Sequence, residues 1–167
     1  MIRTAILTLA LAVSTTGAFA QAATISLGTG AFDSTLPVEV TADELAIDQS
    51  DGRATFAGNV LVVQGEVRMS AGNVTIEYAR GGDAPNGISR LLASGGVTFV
   101  TASDAAEAQD AVYSVTDGTV TLSGDVLLTQ GQNAIAGDRL VVNLASGNGR
   151  MEGRVRTVFT PSQGGNP

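Results

Sequence analysis

A short unit recurs four times along this chain, and no other feature narrows its possible folds as far. Its first half begins Ala42-Asp43-Glu44-Leu45-Ala46-Ile47-Asp48 and returns as Ala71-Gly72-Asn73-Val74-Thr75-Ile76-Glu77, Ala108-Gln109-Asp110-Ala111-Val112-Tyr113-Ser114 and Ala136-Gly137-Asp138-Arg139-Leu140-Val141-Val142. The second half ends in glycine and valine: Phe56-Ala57-Gly58-Asn59-Val60, Ala93-Ser94-Gly95-Gly96-Val97, Leu122-Ser123-Gly124-Asp125-Val126 and Met151-Glu152-Gly153-Arg154-Val155. From Gly58 to Gly95 is 37 residues, and the next two intervals are 29 each. A unit of this length cannot bury its own apolar face, so the copies must stack on one another. The expected form is a quasi-linear β structure, which argues against a compact enzyme.

The N-terminus reads as an export signal. Met1-Ile2-Arg3-Thr4 is basic, Ala5 to Val13 is apolar but for Thr8, and Ala18-Phe19-Ala20 is a small-x-small cleavage site. The apolar run is too short to span a bilayer, which needs about 20 residues. The expected organisation is a signal peptide over 1–20, a flexible leader over 21–36, a repeat domain over 37–160 and a flexible tail over 161–167. The expected location is the periplasm. Beyond residue 20 there are eight arginines, no lysine and sixteen acidic residues. Such a balance argues against nucleic acid as a partner, since phosphate binding needs clustered basic side chains. The lack of histidine and cysteine removes the commonest general base, the thiolate nucleophile and most zinc chemistry. No catalytic residue, metal site or cofactor is expected.

From Val38 onward the chain is built of short alternating runs bounded by Gly, Asp, Asn and Ser, the signature of strands and turns. Val60 and Val62 share a strand face with Phe56, because side chains alternate with period two. The same alternation groups Val67 with Met69, Val74 with Ile76, Val97 with Phe99, Val120 with Leu122, Val126 with Leu128, and Leu140 with Val142. Asp51-Gly52, Asp117-Gly118 and Ser146-Gly147-Asn148-Gly149 supply turns between half-units. Gly81 to Gly87 is an insertion expected at an exposed corner. Glycines 58, 95, 124 and 153 recur in one register and are read as bends in the strands.

Three stretches carry a family resemblance: Pro37-Val38-Glu39-Val40-Thr41-Ala42-Asp43; Ala54-Thr55-Phe56-Ala57-Gly58-Asn59-Val60-Leu61-Val62-Val63-Gln64-Gly65; and the echo Leu122-Ser123-Gly124-Asp125-Val126 through Gln130-Gly131 to Ala136-Gly137-Asp138. With Arg154 to Ser162 as a last strand and tail, the chain over about 37–162 resembles the organic-solvent-tolerance-like (LptA/OstA) family of periplasmic lipopolysaccharide transport proteins. The resemblance implies an all-β fold, a β-jellyroll in which antiparallel strands stack into a V-shaped groove. It also implies a non-enzymatic bridge that shields the lipid A acyl chains of lipopolysaccharide. The implied partners are lipopolysaccharide, an LptC-like inner-membrane protein, an LptD-like outer-membrane protein and further copies of the chain joined head to tail. Free strand edges at the two ends of such a stack suit that joining. The candidate groove residues are Val38, Val40, Phe56, Val60, Val62, Ile76, Phe99, Leu122 and Leu128. Arg68 and Arg154 are candidates for anionic sugar or phosphate groups, or else for cross-strand ion pairs. Periodicity does not separate groove wall from sealed core. A structural or adhesive β-solenoid with a closed interior, or an LptC-like paralogue, fits the same pattern.

Overall fold

The computed structural model describes residues 23–26, 33, 35–48, 50–79 and 87–158. The expected signal peptide, the tail over 161–167 and most of the 81–87 insertion lie outside these residues. Eleven strands form a single sheet: β1 (Ala23–Ser26), β2 (Glu39–Thr41), β3 (Glu44–Asp48), β4 (Arg53–Gln64), β5 (Val67–Tyr78), β6 (Ile88–Val100), β7 (Asp104–Ser114), β8 (Thr119–Gln130), β9 (Asn133–Asn143), β10 (Asn148–Glu152) and β11 (Arg156–Val158). From β4 to β10 each strand pairs antiparallel with the next. β2 and β3 both pair with β4, and β10 and β11 both pair with β9. Each of these two couples is thus one strand broken at a bend.

Every long strand bends at the same level of the stack. The register steps between Ala57 and Val60, Ser70 and Asn73, Ser94 and Val97, Glu107 and Asp110, and Ser123 and Val126. At alternate strands two successive residues enter the left-handed region: Gly58 and Asn59, Gly95 and Gly96, Gly124 and Asp125, and Gly153 and Arg154. This is the bend expected at the recurring glycines, and it folds the sheet so that its two halves face each other. The first wall holds 60–71, 97–108 and 126–137 with β2 and β11. The second holds 53–57, 73–78, 88–94, 110–114, 119–123 and 139–143 with β1, β3 and β10. The fold is the expected V-shaped stack of antiparallel strands.

The inner face of each wall is a pair of cross-strand rows. In the first wall Val40, Val62, Met69, Phe99, Ala106, Leu128 and Ile135 follow one another across the ladder. In the second, Leu45, Phe56, Val74, Ala93, Ala111, Leu122, Leu140 and Met151 do the same. Leu122, Leu128, Leu140 and Met151 are fully buried between the walls. Each such side chain contributes about 1.5–3 kcal/mol by leaving water.

Hydrogen bonds at the lips of the V show how the walls cross. The Tyr113 hydroxyl of β7 donates to Gln64 Oε1 of β4 at 3.0 Å, and Gln64 Nε2 donates to the Leu36 carbonyl at 2.9 Å. Gln130 Nε2 of β8 donates to the Ser26 carbonyl of β1 at 2.7 Å. Since the strand order runs β1-β10-β9-β8 and β7-β6-β5-β4, each bond reaches a strand three places along the opposite wall. The walls are continuous at the bends and offset by three strands at the lips, as twisted sheets demand.

One part of the expected organisation is corrected. Within the segment read as flexible leader, Ala23–Ser26 is a strand paired with β10 from Ala23 opposite Met151 to Ser26 opposite Asn148. Ile25 there is buried in the common core. The cause is local: Thr24 and Ile25 are β-branched, and period two turns Ile25 inward.

Candidate functional site

The candidate site is the apolar interior and the end of the stack at which it comes to the surface. Of the nine predicted groove residues, Val60, Val62, Ile76, Phe99, Leu122 and Leu128 lie in the buried cluster. Val38, Val40 and Phe56 are half-buried and pack against that cluster from its β2–β3 end. The structure therefore joins all nine through one core and divides them by access. Near the lips, Val62, Val67, Met69 and Phe99 of the first wall and Tyr113, Val120 and Leu144 of the second enclose an apolar cavity of about 20 Å³. That is roughly the room one water needs. Between the walls Leu91, Leu122, Leu128, Leu140, Leu144 and Met151 are fully buried in one cluster, so the interior is packed there.

At the β2–β3 end, hereafter the head, the interior is uncovered. Leu45 and Ile47 lie on the inner face of β3, opposite Phe56 and Ala54, yet are 50% and 66% exposed. Sequence reading placed Leu45 and Ile47 in the repeat but missed their access, which follows from β3 having a neighbour on one side alone. It also missed Gln64, Tyr113, Val115 and Leu144, which close the lips. Val115 and Leu144 lie in turns beyond the strands and are buried all the same, where a period-two reading has ended.

Polar side chains brace the bends in a recurring way. Asn59 Nδ2 donates to Asp43 Oδ2 at 2.7 Å, Gln109 Nε2 donates to Asp125 Oδ2 at 3.0 Å, and Arg154 Nη2 donates to Asp138 Oδ1 at 2.7 Å. Each pair is 16 residues apart. In the second unit Gly96 replaces the pairing residue. The Arg154 hydrogen bonds hold the Asp138 carboxyl below its usual range, and Asp138 in turn raises the Arg154 guanidinium. Of the two arginines raised as candidates for anionic groups, Arg154 is thus an ion-pair partner, while Arg68 is exposed on β5.

Charge is divided between the ends. Residues 37–51 at the head carry Glu39, Asp43, Glu44, Asp48 and Asp51 and no arginine. Residues 133–158 at the opposite end, the tail, carry Arg139, Arg150, Arg154 and Arg156 against Asp138 and Glu152. Both tail acids are in ion pairs, Arg139–Glu152 at 3.4 Å and Arg154–Asp138. Among the described residues no three His, Cys, Asp or Glu side chains cluster as a metal site would need. No helix among them is long and apolar enough to cross a membrane.

Comparison with known proteins decides the family. The model of the family described as LptA/(LptD N-terminal domain) LPS transport protein matches residues 39–148, which run from β2 to the start of β10. The chain belongs to this family. An uncharacterised protein of Rhizobium meliloti (strain 1021) is 32% identical over 133 residues, covering 75% of this chain and 72% of its own. The lipopolysaccharide export system protein LptA of Escherichia coli (strain K12) is 28% identical over 143 residues, covering 78% of this chain and 75% of its own. Among solved structures, that of LptH from Pseudomonas aeruginosa superposes with a TM-score of 0.67 at 20% identity, over 77% of this chain and 99% of that one. LptH is described as the LptA-homologous periplasmic component of a conserved lipopolysaccharide transport device. Its likeness bears on the fold. Membership of the family makes this chain a lipopolysaccharide transport protein.

Proposed function

We propose that this chain is a periplasmic bridge that takes up lipopolysaccharide at the head, shields its lipid A acyl chains between the two walls and passes it along the stack. The observation that carries this reading is the continuity of the inner rows. Leu45 and Ile47, exposed at the head, run without interruption through Phe56 and Ala54 into the buried interior. Each acyl CH₂ moved out of water contributes about 0.8 kcal/mol, so several chains bind without any catalytic group. Val38, Val40 and Phe56 make the first contacts. Val60, Val62, Ile76, Phe99, Leu122 and Leu128 become groove lining when the walls part, which is easiest at the lips, where polar bonds and turn residues rather than a continuous ladder join them.

The same reading gives the ends of the stack their partners: an LptC-like inner-membrane protein, an LptD-like outer-membrane protein and further copies of the chain. Strand directions support head-to-tail addition. In the first wall β2 and β11 point opposite ways, because seven antiparallel steps separate them. A translated copy therefore lays its β2 antiparallel beside β11.

The test is photocrosslinking in cells, with a benzophenone side chain in place of Val38, Phe56 or Leu128. Adducts with lipopolysaccharide at Val38 and Phe56 are expected. Their absence at every inward position would leave a sealed structural β-solenoid as the better account of the tight interior.

A further inference from the structure

The tail of the stack is not symmetrical with its head. Among the described residues, the two arms of one bent strand at the head, β2 and β3, both present free edges. At the tail, β11 presents a free edge in the first wall, but in the second wall β10 is already covered by β1. An incoming bent strand could pair with both arms of another only if those arms lie at the same level. With β1 in place, one arm stands a further strand spacing out, about 4.8 Å.

From this we infer that β1 is an internal stand-in for the β3 strand of a second copy, and that head-to-tail assembly requires β1 to leave the edge of β10. The inference rests on the head-to-tail reading given above. Three observations carry it. The first is direction: β1 and β3 are separated by eight antiparallel steps and point the same way. An incoming β3 would therefore meet β10 in the antiparallel sense that β1 uses, but would meet β1 itself parallel.

The second is register and burial. Ile25 of β1 is buried opposite Gly149, where the absent side chain leaves room. Ile47 of an incoming β3 set opposite Gly149 places Leu45 opposite Met151, so the inner row of one copy runs into that of the next. Setting Val40 of the same copy opposite Thr157 then reproduces the one-residue step at the bend found between β8 and β9. Both apolar side chains that are exposed on β3 would be covered.

The third is charge. On the outer face of an incoming β3, Asp48 lies diagonally to Arg150, within reach across a ladder, while Glu44 on the other diagonal stands opposite Glu152, whose charge Arg139 pairs at 3.4 Å. Arg150 faces Thr24 of β1 instead. The exchange thus replaces neutral Ser26, diagonal to Arg150 in the β1 ladder, by the Asp48 carboxylate, while β1 holds the edge through four residues alone.

The experiment uses the full chain, whose lack of cysteine leaves any introduced pair unambiguous. Ser26 and Asn148 are exposed partners in the β1–β10 ladder, at a Cα separation that a disulfide tolerates. In the Ser26→Cys/Asn148→Cys variant, sedimentation velocity over a concentration series should find self-association weakened about tenfold or more when oxidised and restored on reduction. Ile25→Arg, which releases β1 without a crosslink, should strengthen association over the wild type. Equal association of the oxidised and reduced forms would overturn the role of β1 while leaving head-to-tail addition standing. If neither wild type nor Ile25→Arg associates at any concentration, both the inference and the head-to-tail reading fail. Association of Ile25→Arg alone would support it most directly.

Discussion

At the level of single residues, the bends show why the repeat is written as it is. A Cβ on Gly124 would sit 2.9 Å from that of Gln109, in a backbone at φ +83°. Steric crowding and left-handed strain act together there. Gly131 has a positive φ of +56° but nothing within 4 Å, so it carries the strain alone. Gly124→Ala should therefore lower unfolding stability by about 2–4 kcal/mol and Gly131→Ala by about 1 kcal/mol, as read from urea denaturation. Tyr113 makes a second residue-level prediction. Burial pushes its phenol up to about 12, so the folded state favours the neutral form. The resulting stability is full below the ordinary value of 10 and is lost as pH rises from 10 through 12. Thermal melts should show Tm falling over that interval, and Tyr113→Phe should remove that part of the slope.

For whole strands, position in the stack outweighs residue type. Leu122 and Leu45 occupy one inner row of the second wall, but Leu122 is fully buried and Leu45 is half exposed. Leu122→Ala should cost about 2–5 kcal/mol, whereas Leu45→Ala should cost less than about 1 kcal/mol in an unassembled chain. Denaturation at low protein concentration checks the pair. The contrast also marks how far the sequence could be read. Period two assigned Val67 and Met69, Val74 and Ile76, and Leu140 and Val142 to the inner face, and the recurring glycines located the bends. Alternation names a face, though not what the face meets. The three-strand offset at the lips, set by twist accumulated across the sheet, brings Gln64 to Tyr113 from 49 residues away, and no local pattern encodes it. β1 escaped notice for a related reason: four residues are too few to display a period, and their partner lies at the far end of the chain. The nine predicted groove residues were legible as apolar positions, and their division into half-buried and buried ones came from the edge that β3 leaves open.

Across the molecule as a whole, charge gives the stack a direction. Five carboxylates over residues 37–51, with no arginine among those residues, face away from a tail where Arg150 and Arg156 are in no ion pair among the described residues. Head-to-head contact would bring like charges together, as would tail-to-tail contact, whereas head-to-tail contact pairs opposite ones. Backbone hydrogen bonds at the edges carry no such preference, so orientation falls to these side chains. Their influence is exposed to solvent and must fade with salt, since the screening length drops from about 10 Å at 0.1 M to about 3 Å at 1 M. Self-association measured by sedimentation should accordingly weaken between those salt concentrations. Arg150→Glu/Arg156→Glu should weaken it at low salt, and so should Glu44→Arg/Asp48→Arg. Mixing the two variants restores complementary junctions of two kinds, the altered tail of the first against the altered head of the second and the unaltered head of the first against the unaltered tail of the second. That mixture should therefore regain association at low salt and grow into chains in which the two variants alternate, while each variant alone associates weakly. Association of the mixture no stronger than that of either variant alone would show that the strand edges, and not the charges, set the direction of assembly.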